Sequence, residues 1–237
     1  MLSFIVPAHN EEHELPATLR AIDTAAQAYG KPCEIIVVDD ASDDATAEIA
    51  GNFGARVVPV HLRQIAAVRN AGAREAKGDI LFFVDADTRI APGQIPAAVR
   101  ALEHGSSGGS ARIALDAKVP LWARLFLGIF CALYFRANLG VGAFIFTRRT
   151  SFEAVGGFDE QYFAGEEVYL TLALKKLGPF VILREPIVTS ARKVRMHGPK
   201  FVLSQSCFIL FGGKRALRKR GKLDLWYDGK RESVQAQ

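Results

Sequence analysis

The chain has little cysteine, no long apolar run and none of the glycine signatures of common nucleotide sites. Cys33, Cys131 and Cys207 are far apart and odd in number, with no Cys-x-x-Cys and no His at ligand spacing. That pattern argues against a disulfide scaffold or a zinc site and reads as reduced, buried thiols in a cytosolic setting. The most apolar stretch, residues 121–135, contains Arg124 and is followed by Arg136, which leaves an uncharged run of eleven. A spanning helix needs about twenty apolar residues, so the expectation is a buried or a membrane-surface helix. The N-terminus enters a strand pattern at once, Leu2-Ser3-Phe4-Ile5-Val6, and no signal peptide is expected. No Gly-x-Gly-x-x-Gly follows that strand, and Gly-x-x-x-x-Gly-Lys-Ser/Thr is absent, which disfavours a nicotinamide dehydrogenase and a P-loop nucleotidase. A serine-hydrolase turn is not expected either.

What is present is an ordinary globular composition, 237 residues with 49% hydrophobic and 23% charged, enough for one large domain or two small ones. The net charge of +5 is unevenly placed. From Arg192 onward twelve Lys or Arg face three acids, a local +9, which leaves residues 1–191 at −4. A basic tail suits an anionic partner such as phosphate groups or a lipid surface. Tail charge alone is a weak basis for nucleic-acid binding, and none is expected.

The first half alternates strand and helix patterns, the mark of a parallel sheet with helices on its faces. Strands are expected at Leu2–Val6, Glu34–Val38, Arg56–Val60 and Asp79–Val84. Helices are expected from Leu15 to Ala26, after Ser42 as N-cap, over Ile65–Ala76, and after Pro92 with Ile95, Val99 and Leu102 inward. Gly105-Ser106-Ser107-Gly108-Gly109-Ser110 reads as the most flexible stretch and as a boundary within one domain. Beyond it the pattern is less regular: a strand at Gly142–Thr147, a helix over Glu166–Leu177 and a short strand at Phe180–Leu183. From Phe201 an uncharged run leads into Lys214, Arg215, Arg218, Lys219, Arg220 and Lys222. It is either a peripheral membrane anchor or a packed helix with a solvated basic end.

Polar residues follow three of the first strands: Asn10-Glu11, Asp39-Asp40 and Asp85-Ala86-Asp87. In a parallel sheet these ends share one edge, where ligands bind. Asp-x-Asp offers hard oxygens to Mn²⁺ or Mg²⁺ shared with substrate phosphates; the alternative is a turn or helix cap, where Asp is also favoured.

Five stretches in order resemble the inverting nucleotide-sugar glycosyltransferases of family 2, which have the GT-A fold. They are Phe4-Ile5-Val6-Pro7-Ala8-His9-Asn10-Glu11-Glu12, Ile36-Val37-Val38-Asp39-Asp40 running on to Thr46, Arg69-Asn70-Ala71-Gly72, Gly78-Asp79 through Asp87, and Gly156-Gly157-Phe158-Asp159-Glu160 leading to Gly165-Glu166-Glu167-Val168. The resemblance covers about residues 2–190. It implies an α/β fold, a Rossmann-like, mostly parallel sheet flanked by helices with a less regular acceptor-side C-terminal half. It further implies a nucleotide-sugar-binding half at 1–110, an acceptor-binding and catalytic half at 111–200, and an apolar and basic segment at 201–237.

By the same resemblance Pro7, Ala8, Asn10, Glu11, Asp39, Arg69, Asp85 and Ala86 line the nucleotide pocket. Asp87 and Asp85 hold the metal, with Asp87 as the direct ligand. Glu166-Glu167 stands where the family usually has Glu-Asp, whose second member is the catalytic base, so Glu167 takes that role with one methylene more of reach. Arg192, Lys193, Arg195 and His197 follow the last strand in a segment that some GT-A enzymes close over the diphosphate. His197 is either a further metal ligand or an exposed loop residue. The implied partners are a nucleoside-diphosphate sugar and a hydroxyl acceptor, small or lipid-linked, in a cytoplasmic setting that includes the inner membrane face. Gln-x-x-Arg-Trp of processive synthases is absent, which favours transfer of one sugar. The alternatives are a sugar-nucleotide nucleotidyltransferase, which would want a glycine-rich loop after the first strand, and a non-catalytic nucleotide- or membrane-binding module.

Overall fold

The computed structural model describes residues 1–117, 119–192 and 217–218. One eight-stranded sheet takes strands from both halves of the chain, in the order β3-β2-β1-β4-β7-β6-β8-β5. The strands are β1 Leu2–Ala8, β2 Cys33–Asp40, β3 Arg56–Val60, β4 Ile80–Val84, β5 Thr88–Arg89, β6 Gly108–Leu115, β7 Phe144–Arg148 and β8 Phe180–Thr189. The helices are α1 Leu15–Tyr29, α2 Thr46–Asn52, α3 Ile65–Glu75, α4 Gln94–Glu103, α5 Leu121–Arg136, α6 Arg149–Ala154 and α7 Glu166–Leu174. Strands β3, β2, β1 and β4 run parallel. The direction reverses at β7, which lies antiparallel to both β4 and β6.

The middle of β1, β2 and β4 is apolar because helices cover both faces. Alternation then sorts their side chains: Phe4, Val6, Phe82 and Val84 pack with Leu15, Leu19, Ile22, Ile95 and Leu102 of α1 and α4. Ile5, Ile36, Val38, Leu81 and Phe83 pack on the opposite face with Ala66 of α3, Phe152 of α6 and Leu170 of α7. A one-residue slip of any of these strands would exchange the two cores, so the register is strongly specified.

Several expectations need correcting. The stretch Gly105–Ser110 is not a flexible boundary. Strand β6 begins at Gly108, and Ser106, Ser107 and Ser110 are buried. A Cβ on Gly109 would meet the Phe146 ring and the Val181 carbonyl, so the glycine permits close approach inside the sheet. Gly105-Ser106-Ser107-Gly108-Gly109 does carry the Gly-x-Ser-x-Gly spacing of serine hydrolases. However, the Ser107 hydroxyl is used structurally, donating to the Gly178 and Pro179 carbonyls, and its chain enters a strand rather than leaving one. Ser42 is not an N-cap, since α2 starts only at Thr46. Strand β8 runs ten residues because its later half pairs with β5 and β6. Helix α7 stops at Leu174 rather than Leu177. Cys33 is exposed at the start of β2 and Cys131 half-buried on α5, so neither is a core thiol; Cys207 and the segment 201–237 apart from 217–218 lie outside the described residues. Helix α5 is present with an exposed apolar stripe: Leu121, Leu125, Ile129 and Leu133 are 60–68% exposed. Among the described residues no helix is long and apolar enough to cross a membrane.

Helix α3 is seated against the sheet through Gly72, where an added Cβ would lie 2.4 Å from Ile5 and 2.7 Å from Val38. We expect G72A to destabilise the protein by about 1–3 kcal/mol, the usual cost of overpacking a core, read as a lower urea midpoint with unchanged slope. An unchanged midpoint would show that α3 is not held this closely.

Candidate active site

The carboxyl ends of β1, β2 and β4 lie side by side, as the register of Ala8 with Asp39 and of Ile5 with Phe83 requires. The loops leaving them are tight. Asn10, Ala41 and Arg63, which follow β1, β2 and β3, all have φ between 51° and 56°. Left-handed backbone at such residues is uncommon and costs on the order of 1–3 kcal/mol, and it clusters where loops are shaped for function. The loops also brace one another. The Asn10 N–H donates to Ser42 Oγ, the Asp43 N–H to Asn10 Oδ1, and the Ser42 N–H to Asp39 Oδ1 at 3.3 Å. Asp39 and Asp40, which look like a pair in sequence, do different work. Asp40 accepts the Leu62 and Arg63 N–H groups at 2.7 and 3.0 Å and so organises the loop after β3. Asp39 instead accepts the Ser42 N–H within the loop after β2. Pro7 and Ala8 are buried in β1, and the Ala86 carbonyl accepts the Thr18 hydroxyl of α1.

Two arginines gather the acidic residues. Arg69, on the buried face of α3, is only 2% exposed. Its Nη1 donates to Glu166 Oε1 at 2.6 Å, and its Nη2 to Asp85 Oδ1 at 2.7 Å and to the Gly142 carbonyl at 3.0 Å. Burial alone would lower its pKa. Asp85 and Glu166 outweigh that and hold it above the ordinary arginine value. Arg192, just past β8, donates both Nη atoms to Glu11, at 2.6 and 2.5 Å, and pairs with Asp87 at 3.2 Å. The short β5–β8 pairing makes this possible. Thr88 faces Thr189, the Ser190 N–H donates to the Asp87 carbonyl, and Arg192 follows two residues on.

The neighbouring Asn70 pins the glycine loop that leads to α7. Its amide donates to the Phe158 carbonyl and to Glu160, and its oxygen accepts the Phe158 N–H. Gly165, at φ 74°, then turns the chain into α7 with Glu166 and Glu167 in the first turn. A helix N-terminus favours carboxylates, but desolvation is the larger effect at Glu167. Burial, followed by the negative charge of Glu166, pushes its pKa up to about 8. Arg69 is already shared between Glu166 and Asp85, so it leaves Glu167 only partly compensated. A carboxyl so tuned, partly accessible at the rim, is poised to exchange a proton near neutrality.

The sequence-derived site is therefore brought together: Asn10, Glu11 and Asp39 on one side, Asp85, Ala86 and Asp87 in the centre, Arg69 and Glu167 on the other. His197 lies outside the described residues. Two roles escaped the sequence reading, Glu166 as the ion-pair partner of Arg69 and Arg192 as the partner of Glu11 and Asp87. The only hint of either was a doubled Glu after a glycine and a basic residue directly after the last strand.

A mixed, mostly parallel sheet in which β1, β2 and β4 end in these acids beside a helix-borne Glu defines a GT-A-type fold. Comparison with known proteins agrees. The chain belongs to glycosyl transferase family 2, whose family model matches residues 3–155. It is 36% identical over 116 residues to the undecaprenyl-phosphate 4-deoxy-4-formamido-L-arabinose transferase of Pseudomonas paraeruginosa, over 46% of this chain and 33% of that protein. It is 38% identical over 112 residues to the protein of the same name from Edwardsiella ictaluri, over 44% of this chain and 34% of that protein. The chain thus spans about a third of the length of the curated relatives it matches. Its fold is similar to that of residues 1–349 of TarS from S. aureus, crystallised with UDP, at a TM-score of 0.60 and 20% identity over 80% of this chain and 60% of that one. The UDP-GlcNAc complex of the same protein gives 0.61, over 81% and 58%.

Removing Arg69 leaves Asp85 and Glu166 without their cation, and breaking a buried pair from one side typically costs about 3–5 kcal/mol. We expect R69A to lose stability of that order in urea unfolding. Adding E166Q should recover part of the loss, because one uncompensated carboxylate is then gone. Equal stability of R69A and the wild type would contradict the central position of this pair.

Proposed function

We propose that the chain transfers a single sugar from a nucleoside-diphosphate donor to an acceptor, with inversion and with a divalent cation. One observation carries the reading. Two arginine-centred ion-pair chains, Arg192 with Glu11 and Asp87 and Arg69 with Asp85 and Glu166, lie along one sheet rim, with the Glu167 carboxyl of raised pKa beside Glu166. The UDP and UDP-GlcNAc bound to TarS support a uridine-type donor, which on this reading lies over the loops after β1 and β2. There the Asp39 and Asn10 side chains offer hydrogen-bonding groups to a base or ribose.

The donor set fits Mn²⁺ or Mg²⁺ completed by substrate. Asp85 and Asp87 supply hard oxygens, and Asp87 already draws a positive group to itself in Arg192. Among the described residues no cluster of three ligating side chains forms a self-sufficient cage. Such ions are usually held by one or two carboxylates together with phosphates. When bound, the ion would stabilise the negative charge that develops on the departing diphosphate. Arg192 can add charge to the same group, because its partners Glu11 and Asp87 lie at the rim. His197 is a further ligand within this proposal.

Glu167 takes the proton of the attacking hydroxyl as the bond to the anomeric carbon forms, and the diphosphate leaves on the opposite side. One displacement with one base inverts the centre. The names of the curated relatives favour a variant of this reading, in which the acceptor is a lipid phosphate. An ionised phosphate needs no base, so Glu167 would then matter little to chemistry. The reaction belongs on this account in a cytoplasmic, membrane-peripheral setting.

Calorimetry with UDP and GDP, with and without Mn²⁺, tests donor and metal together, and cation-dependent UDP binding is expected. E167Q should lose about 10²–10⁴-fold in transfer to a hydroxyl acceptor with UDP affinity unchanged. Activity near wild type would remove Glu167 as base and favour the phosphate acceptor. For the wild type, kcat/KM should rise with pH and level off above about 8, as the Glu167 carboxyl ionises. The linked stability has the opposite sign. The folded state retains a proton that the unfolded chain loses near 4.5, so stability falls as pH rises towards about 8, and E167Q should lack that fall.

A further inference from the structure

Helix α5 is the one place where the described surface concentrates large apolar side chains. Its outward residues are Leu121, Arg124, Leu125, Gly128, Ile129, Ala132, Leu133 and Arg136, an apolar face with an arginine towards each end. Leu121, Leu125, Ile129 and Leu133 are 68, 60, 64 and 65% exposed and recur every fourth residue. At about 1.5 Å per residue the stripe is about 18 Å long. Exposing such a face to water costs free energy that a covering partner would recover.

We propose that α5 lies in the surface of an anionic lipid bilayer, with this face in the headgroup and acyl boundary. Three observations favour a bilayer over another occupant. Helix α5 is not a membrane-crossing candidate, which leaves the interface plane. No Asp or Glu occurs between Asp116 and Glu153, whereas Arg124 and Arg136 sit on the exposed face of α5, and a local +9 follows from Arg192 onward. Cations around an apolar face complement anionic headgroups. Pairing with a second copy through the same face would instead bring four arginines together, Arg124 and Arg136 from each, with no acid on the helix to offset them.

The C-terminal end of α5 is also tied to the candidate active site, and here the inference rests on the sugar-transfer reading. Tyr134 follows Leu133 and donates to the Gly140 carbonyl at 2.9 Å. The Gly140 N–H donates to Thr171 on α7, and the Gly142 carbonyl accepts from Arg69. Lys175, just beyond α7, reaches the Ala137 carbonyl at 2.9 Å. The end of α5 is thus fastened to the element bearing Glu167. Burial, and then the charges of Glu167 and Glu166, raise the Tyr134 phenol pKa. A docked α5 would bring the Glu167 side of the site to the membrane surface, so the acceptor is an amphiphile whose polar head reaches Glu167 while its hydrocarbon stays in the lipid.

The test is sedimentation of the full chain with vesicles of phosphatidylcholine alone or with phosphatidylglycerol. The wild type should pellet with the anionic vesicles, and L125E/I129E, or the milder L125Q/I129Q, should bind about tenfold or more weakly. The chain has two tryptophans, so W226F leaves Trp122 on α5 as the sole reporter, and brominated lipid should quench it. A wild type that stays in the supernatant overturns the proposal, as does an unquenched Trp122. Vesicle binding of L125E/I129E equal to wild type assigns attachment to the basic tail instead. A wild-type dimer that this variant converts to monomer, read by light scattering, assigns the face to a second copy. UDP calorimetry on the same variants separates the two claims, because it should be unchanged whether or not α5 docks and fails only if the nucleotide reading fails.

Discussion

The buried guanidinium of Arg69 is the constraint on which the rest of the site depends. A charge taken out of water is tolerable only where opposite charge and hydrogen bonds replace its hydration. Asp85, Glu166 and the Gly142 carbonyl supply both. Those three partners come from the end of β4, the first turn of α7 and the loop before β7, so meeting the needs of one side chain fixes three segments at once. Gly142 is part of the same requirement, since a Cβ there would stand 3.0 Å from Arg69 Nη2. Charge balance then sets the chemistry. One guanidinium serves two carboxylates, Glu167 is the third in the group, and burial beside Glu166 leaves it holding its proton up to about pH 8.

Arg192 repeats the device at the other end of the rim, tying the loop after β1 to the end of Asp85-Ala86-Asp87. The two arginines approach Asp85 and Asp87 from opposite sides of the sheet, Arg69 from α3 and Arg192 from beyond β8. The Asp-x-Asp segment is therefore held by its own side chains and, through Ala86, by Thr18 of α1. Strain in the loops after β1, β2 and β3 is sustained by reciprocal side-chain to backbone bonds such as Asn10 with Asp43 and Ser42. Rigid strands, tight loops and ion pairs together give a preorganised rim, and the end of α5 is fastened beside it.

Much of this was legible in the sequence because local pattern and tertiary role coincide in the first half. Ile80–Val84 is apolar because both faces are covered, and the acids after it fall at the strand end because a buried strand cannot hold them earlier. Arg69-Asn70-Ala71-Gly72 turned out to be three separate devices: an ion-pair hub, a clamp on the Phe158 loop and a close contact with Ile5 and Val38. The stretch from Gly105 to Ser110 misled because glycine and serine mark turns statistically, whereas here the glycines admit neighbouring strands and the serines satisfy buried carbonyls. The Glu166 and Arg192 pairings were hidden because they join residues 97 and 181 positions apart. No periodicity encodes such contacts. Exposure of the α5 stripe was equally invisible, because an apolar helix reads the same whether protein or some other apolar surface covers it.

The most direct measurement is a crystal structure of the chain with UDP and Mn²⁺, with the metal located by its anomalous signal. The account predicts that signal at coordinating distance from Asp87, the diphosphate beside it, and Glu167 facing open space across the same cavity. A metal site away from Asp87, or a Glu167 carboxyl turned into a different cavity from the diphosphate, would contradict it.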